Sequence, residues 1–256
     1  MQIKRNGYLA GWIVAVISMS PLHAQTVGNP LGVRGHGEWT VSASVNYTEQ
    51  QTANQTAIIR RQAFKVMRGM TPRLDMYVTA GRAQLCLSPP SSRLSGYRDK
   101  YRFLYGAGLT AVLKPETPHS PYQIWFGAQG LRFRSEGTYD FDLSEGGGET
   151  LVWQKSVAYD WREGQAVLGM SYPVHHNIRL YLGGVAWVLQ RIDTQRELWS
   201  DSWSKPHQST FQSGMWTGGI FGVELLLPKQ YSIGCEVLVF NEKNFQIMAG
   251  ICQTGE

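Results

Sequence analysis

The sequence is poor in charge and in cysteine, and each shortage excludes a class of protein. Only 17% of its 256 residues are charged, and the net charge of +5 is dispersed along the chain, which argues against a nucleic-acid partner. The three cysteines, Cys86, Cys235 and Cys252, have no metal-binding or redox spacing and allow at most one disulfide, whose pairing the sequence does not decide. No disulfide scaffold, metal centre or cofactor is therefore expected.

Long apolar runs are also missing. Beyond residue 24 no run of about 18 apolar residues occurs, so no transmembrane helix is expected. No helical period of 3.6 residues recurs in the same part of the chain, which excludes an α-helical fold. The chain instead combines 28 glycines with 12% aromatic residues. That combination is typical of an all-β protein with many turns and packed rings.

The N-terminus has the pattern of a secretory signal peptide over residues 1–24. Lys4 and Arg5 give a positive start, Trp12–Ile17 forms a short apolar core, and Ala24 is the small residue that a signal peptidase needs. An N-terminal anchor helix is the alternative, although the apolar run is short for a membrane span. We therefore expect export from the cytoplasm, with residues 25–36 as a lead-in that contains glycine and proline.

Strict two-residue alternation begins at residues 37–49, GEWTVSASVNYTE. Successive side chains of a strand point to opposite faces, so the series from Trp39 to Tyr47 gives an apolar face and the series from Thr40 to Thr48 a polar one. A soluble sandwich can use such a strand, and so can a barrel with lipid outside and a polar lumen. The rest of the chain repeats the pattern. We expect one antiparallel up-and-down barrel of about ten strands over residues 37–252, with eight or twelve strands as alternatives, and a tail at 253–256.

The connections between the predicted strands are of two kinds. Those at 69–72, 114–121, 173–177 and 228–230 are mostly short and contain proline, whereas those at 88–96, 137–149 and 195–212 are longer. The two kinds alternate along the chain, so we expect the short turns at one end of the barrel and the long loops at the other. Residues 160–164 are predicted to form a bulge. Trp199 and Trp203 lie in the longest loop, where they serve either adhesion or a loop plug.

These features together resemble a small Gram-negative outer-membrane β-barrel of the porin-like, OmpA-like and OmpW-like class. The resemblance spans most of the chain, from about Gly37 to Cys252, and concerns architecture rather than a diagnostic motif. It implies a transmembrane β-barrel in the outer membrane, inserted by the barrel assembly machinery and surrounded by lipid and lipopolysaccharide. It leaves the oligomeric state open.

The alternation also predicts which side chains face the lumen and which meet the membrane boundary. A charge that faces lipid is costly, whereas a paired charge inside a narrow lumen can be hydrogen-bonded. Aromatic residues at strand ends fit the girdles of such barrels at the two membrane interfaces. The predicted lumen charges are Glu38, Asp75, Arg102, Arg179, Glu224 and Glu236, and the predicted interfacial aromatics are Trp39, Tyr47, Tyr101, Tyr122, Tyr172 and Tyr231.

The pattern predicts a non-enzymatic protein, either a narrow channel with an ion-selective constriction or a structural and surface-interaction barrel. The second interpretation is favoured because the lumen of about ten strands is narrow enough for side chains to fill. One alternative is a hydrolase, since His207 and Ser209 have a His-x-Ser spacing that resembles the outer-membrane lipid A deacylases. They lie in a predicted loop, which would not fix their geometry. The other alternative is a secreted soluble β-barrel that binds an apolar ligand inside.

Overall fold

The computed structural model describes residues 37–52, 55–88, 97–141, 153–199, 202–203, 205–228, 230–241 and 244–255. The predicted signal peptide and lead-in, residues 1–36, lie outside the described residues. No helix in the described part of the chain is long and apolar enough to cross a membrane. The strands are β1 (Trp39–Thr52), β2 (Gln55–Thr71), β3 (Leu74–Leu87), β4 (Tyr97–Arg98), β5 (Arg102–Lys114), β6 (Gln123–Phe141), β7 (Trp153–His175), β8 (Ile178–Trp199), β9 (Ser202–Trp203), β10 (His207–Gln212), β11 (Trp216–Leu227), β12 (Tyr231–Asn241) and β13 (Asn244–Gly255).

Ten of these strands close into an antiparallel ring. The order around the ring is β1, β2, β3, β5, β6, β7, β8, β11, β12 and β13, and β13 returns to pair with β1. The short strand β4 pairs with the end of β3, while β9 and β10 pair with β8. A closed ring has no unpaired edge within it. The predicted antiparallel β-barrel of about ten strands is therefore confirmed.

Several segments that we predicted as loops are strands. The predicted loop at 137–149 begins inside β6, and the predicted loop at 195–212 contains the end of β8 together with β9 and β10. The predicted bulge at 160–164 is also wrong, because the pairing of β7 with β8 runs without a shift from Gln154↔Leu198 to Pro173↔Arg179. These segments are polar, but their backbone groups still pair with a neighbouring strand. Side-chain polarity therefore does not mark where these strands end.

The connections define two ends of the barrel. Those from β2 to β3, β5 to β6, β7 to β8 and β11 to β12 lie at one end, which we call the turn side. The connections from β3 to β5, β6 to β7 and β8 to β11 lie at the other end, which we call the loop side. β13 continues to Gly255, which pairs with Trp39, so residues 253–255 belong to the barrel rather than to a tail.

The wall of the barrel carries polar side chains inside and apolar side chains outside. In β1 the even-numbered side chains point inward, and Thr40, Ser42, Thr48 and Gln50 are buried there. The sequence alternation predicted this assignment of the two faces. Large apolar side chains with at least half of their surface exposed follow the outer wall and include Val41, Phe64, Val78, Phe103, Leu168, Leu182 and Phe221.

Two apolar clusters fill much of the interior. The loop-side cluster joins side chains of β2, β3, β5, β6, β7 and β8, and in it Phe133 stacks on Trp161 with ring centroids 5.9 Å apart. The second cluster contains Trp125 and Tyr181, whose rings meet edge to face at 6.3 Å. The barrel is therefore packed with side chains at both levels.

Two glycines allow the rings of the second cluster to lie flat against the wall. Gly169 pairs directly with Trp125, and Gly222 pairs directly with Tyr181. A Cβ atom at either glycine would overlap the ring opposite it. The absence of a side chain at these two positions is therefore what lets the aromatic rings enter the lumen.

The three cysteines stand apart from one another. Cys235 is exposed on the outer wall, Cys252 is buried on the inner wall, and Cys86 is half-buried near the loop-side end of β3. None of the three is in a disulfide. No pair among them forms the one disulfide that the sequence allowed.

Candidate functional site

The turn-side interior gathers acidic side chains. Asp75, Glu224 and Glu236 are 0%, 1% and 2% exposed, respectively, and all three point inward. Glu224 and Glu236 lie on the neighbouring strands β11 and β12, on either side of one turn. The hydroxyl of Tyr181 donates a hydrogen bond of 2.9 Å to Glu236 Oε2. These carboxylates therefore form a polar layer inside an apolar outer wall.

Lys65 supplies a positive charge to this layer. Its side chain is 5% exposed, its Nζ lies 4.2 Å from the ring centroid of Tyr77, and it interacts electrostatically with Glu236. A cation over an aromatic face is attracted by the ring quadrupole. Lys65 is not among the predicted lumen charges. Its neighbours Phe64 and Val66 face outward, so the alternation places Lys65 inside.

A second buried ion pair lies higher in the barrel, inside the loop-side half. Arg61 Nη2 donates to Glu163 Oε1, and the two side chains are 3% and 1% exposed. The indole Nε1 of Trp161 donates to the same oxygen at 2.6 Å. Sequence reasoning missed this pair because Glu163 lies in the segment that we interpreted as a bulge. The pair links β2 to β7 across the lumen.

The predicted lumen arginines lie at opposite ends of the barrel, and Arg179 pairs directly with Glu224. Arg179, on the turn side, donates to Glu116 Oε2 at 3.0 Å and to Gln123 Oε1 at 3.1 Å. Arg102, on the loop side, donates from Nε to Asp99 Oδ2 at 3.1 Å and is 41% exposed. Their carboxylate partners come from the connections before β5 and before β6.

The sixth predicted lumen charge is Glu38, which lies next to β1 and is half-buried. Its backbone carbonyl accepts a hydrogen bond from the amide of Gly69 at 3.0 Å. Five of the six predicted charges therefore lie on the turn side, where Arg179 pairs directly with Glu224, whereas Arg102 lies on the loop side.

The predicted interfacial aromatics point outward at two heights. Trp39, Tyr122, Tyr172 and Tyr231 lie near the turn-side ends of their strands, whereas Tyr47 and Tyr101 lie near the loop side. Cations cover several of these rings. Arg68 lies 5.2 Å from the centroid of Trp39, Lys114 3.8 Å from that of Tyr122, and Arg82 4.8 Å from that of Tyr101. Their role at the two membrane interfaces stays a prediction.

Charged side chains cover the outer wall above the exposed apolar side chains. Asp160, on β7, accepts two hydrogen bonds of 2.8 Å from Arg132 and further ones from Nε and Nη2 of Arg162. Partial burial disfavours its ionised form, but the hydrogen bonds from Arg132 and Arg162 outweigh burial and lower the pKa of Asp160. One carboxylate therefore holds two guanidinium groups side by side.

His207 and Ser209 lie in β10 rather than in a loop, so that part of our prediction is wrong. Both are exposed and lie on the same face of the strand, two residues apart. Ser209 pairs directly with Asp193 of β8, whose carboxylate accepts hydrogen bonds of 2.7 and 2.9 Å from Arg191. Burial raises the pKa of Asp193, against the effect of Arg191.

Two features expected of a hydrolase or a metal site are missing from the described residues. No hydrogen bond joins the side chains of His207 and Ser209 there. The same part of the chain also contains no group of three or more His, Cys, Asp or Glu side chains that could hold a metal ion. The residues of β10 from His207 to Thr210 are exposed and polar, and we call this strand the polar rim.

No family model matches the chain, and no curated protein matches it. An outer membrane channel from Pseudomonas putida F1 is similar in structure, with a TM-score of 0.47 and 10% identity over 90% of this chain and 100% of that one. The outer membrane protease OmpT from Escherichia coli has a TM-score of 0.43 and 12% identity, over 86% of this chain and 96% of that one. The toluene transporter TodX from Pseudomonas putida has a TM-score of 0.40 and 9% identity, over 88% of this chain and 90% of that one. These TM-scores are low, and the fold assignment rests on the strand pairing.

Proposed function

We propose that this protein is a non-enzymatic integral outer-membrane barrel with a closed interior, which acts as a structural and surface-interaction protein. The observation that supports this proposal most directly is a filled lumen inside an apolar outer wall. In this proposal the barrel assembly machinery inserts the chain, and outer-membrane lipid and lipopolysaccharide surround it.

The outer wall supports the membrane location. Leu168, Leu182 and Phe221 are each more than half exposed, and they lie on three neighbouring strands of the ring. Monomeric soluble proteins rarely expose contiguous apolar patches of more than a few hundred Å². The stretch from Trp39 to Tyr47 is about 27 Å long at roughly 3.4 Å per residue before tilt. That length is near the apolar band of about 25 Å in outer-membrane barrels.

The interior supports closure. Trp125, Trp161 and Trp187 have no exposed surface, although all three point into the lumen. The ion pair between Arg61 and Glu163 crosses the lumen at the level of Trp161. A small barrel whose interior is occupied by large rings and by a bridging ion pair leaves no continuous path for a solute.

Two measurements test the proposal. Cell fractionation with heat-modifiable migration is expected to place the folded protein in the outer membrane. Planar-bilayer recording with the purified protein is expected to show no conductance steps. Recovery of the protein in the soluble periplasmic fraction would exclude the membrane location, and regular conductance steps would exclude a closed interior.

A narrow channel is the second candidate, and the polar turn-side interior favours it. The acidic layer of Asp75, Glu224 and Glu236 would select cations if the loop-side cluster moved aside. The recordings distinguish the two candidates. A channel would show conductance whose cation selectivity falls in the Glu236→Gln variant, whereas a closed barrel shows no current in either protein.

A further inference from the structure

The outer wall contains an apolar groove directly beneath exposed arginines. The groove has a volume of about 610 Å³ and crosses the exterior of β1, β2, β3, β5 and β6. Small side chains form part of its lining, at Ala107 and Ala128, together with Gly130. Larger apolar side chains such as Met76 and Val78 also line it. A lipid-facing wall that is recessed over five strands can accommodate an acyl chain.

The rim of this groove on the loop side is basic. Gly130 and Arg132 lie two residues apart in β6 and face the same side, so Arg132 stands about 7 Å above the groove along the strand. Arg132 pairs directly with Arg162 in β7, and Asp160 holds both guanidinium groups. Arg82 faces outward from β3, the middle strand of the groove, and donates from Nε to Gln62 at 2.6 Å. We call Arg82, Arg132 and Arg162 the arginine row.

Exposed aromatic rings lie between the two ends of the arginine row. Phe103 and Tyr105 project outward from β5, with 67% and 45% of their surfaces exposed, and their rings stack with centroids 6.0 Å apart. Phe103 pairs directly with Arg82, and Tyr105 pairs directly with Arg132. An exposed flat ring between cationic groups offers an apolar surface to the C–H face of a sugar.

We propose that this outer face binds lipid A, the phosphorylated and acylated glycolipid of lipopolysaccharide, with one of its acyl chains in the groove and its phosphates on the arginine row. The inference rests on the proposed outer-membrane location. Charge complementarity supports it, because arginine forms bidentate hydrogen bonds with phosphate. The occupant is a glycolipid because β3 and β7 are three strand spacings apart, about 14 Å at roughly 4.8 Å each. A disaccharide with a phosphate at each end can meet Arg82 and Arg162 together, whereas phosphatidylglycerol has one phosphate.

Native mass spectrometry of the purified full chain in detergent tests the inference with lipid A as the probe. The wild-type protein is expected to retain lipid A, and the Arg132→Gln/Arg162→Gln double variant to bind it at least about tenfold more weakly, because charge-assisted hydrogen bonds to phosphate are lost. Arg82→Gln, which removes the exposed contacts of Arg82 with Gln62 and the ring of Tyr101, is expected to weaken binding in the same direction. Arg73→Gln, an exposed arginine at the turn side, is the matched control and is expected to bind as wild type.

Two further probes identify the ligand. Lipid A without phosphates is expected to bind more weakly than the phosphorylated form, and so is phosphatidylglycerol. Equal binding of phosphatidylglycerol, or unchanged lipid A binding by both Arg82→Gln and the double variant in heat-modifiable, folded protein, would overturn the inference. Fractionation separates this failure from that of the proposed function. A protein found in the outer membrane whose variants bind lipid A normally contradicts only the glycolipid site.

Discussion

The turn-side and loop-side halves of the barrel distribute polar side chains in opposite ways, and β7 contains both arrangements. Near the turn side, Leu168 faces outward and the buried Ser171 faces inward. Near the loop side, Arg162 faces outward and the buried Trp161 faces inward. Lipid around a barrel favours apolar side chains on the outer face, as at Leu168. Water around it favours polar side chains there, as at Arg162. One continuous strand therefore passes from apolar surroundings into polar ones without any break in its pairing.

The buried ion pair inside the loop-side half is expected to contribute most to stability. Glu163→Ala leaves Arg61 buried without its carboxylate, and we expect the free energy of unfolding to fall by about 3–5 kcal/mol. Urea titration followed by tryptophan fluorescence in lipid vesicles measures the loss. The Arg61→Leu/Glu163→Leu double variant is the control and is expected to recover most of the stability. A Glu163→Ala protein as stable as wild type would show that the pair is not buried.

The outer wall allows the two halves to be compared within a single strand. Leu182→Arg places a charge among exposed apolar side chains, and we expect it to cost about 2–4 kcal/mol. Ile192→Arg lies on the same face of β8, opposite Asp160, and is expected to cost about 0–1 kcal/mol. Unfolding titrations of both variants in vesicles give the comparison. Equal losses of stability in the two variants would mean that the outer wall of β8 meets the same medium along its whole length.

The packing of the second cluster gives a smaller effect. Gly169→Ala adds a Cβ that overlaps the ring of Trp125, and we expect a loss of about 1–3 kcal/mol from overpacking. Gly184→Ala is the matched control, because its Cβ would meet no atom within 4 Å. Heat-modifiable migration over a temperature series compares the two variants. If the two variants unfold at the same temperature, the interior is not packed against Gly169.

The polar rim at β10 is expected to give the smallest effect. His207→Ala and Ser209→Ala should leave the acyl composition of lipid A in whole cells unchanged, because we propose no enzyme at this site. Mass spectrometry of extracted lipid A makes the measurement, with cells that lack the protein as the reference. An acyl chain lost in wild-type cells and retained in both variants would support the hydrolase interpretation instead.

The two-residue alternation predicts much of this architecture, whereas long-range pairing across the lumen is beyond it. Glu224 and Glu236 alternate with outward-facing apolar residues in their strands, which predicts that both point inward, and both are buried in the structure. Arg61 and Glu163 are 102 residues apart on strands that are not neighbours, so their contact depends on the stagger of the strands around the ring.

The polar ends of β6 and β8 and the short strand β10 differ from the loops that the sequence predicts. Residues 137–141 and 207–212 are polar and were predicted as loops because an apolar face was the only sign of a strand that we used. In the structure their backbone groups pair with β7 and β8, and this pairing does not require an apolar face. Where a strand extends beyond the apolar surroundings, its backbone keeps its hydrogen bonds, but its outward side chains need not be apolar.

The meeting of β1 with β13 has a consequence for how the chain folds. Backbone pairing runs along this seam from Trp39 to Glu49, and the amide of Gln51 donates to Asn244 Oδ1 at 2.7 Å across 193 residues. The other neighbours in the ring follow one another along the chain, so they can form as successive hairpins with little chain entropy to lose. The cost of closing the longest loop falls on the seam alone. We therefore expect the seam to form last, as the step that turns a curved sheet into a cylinder.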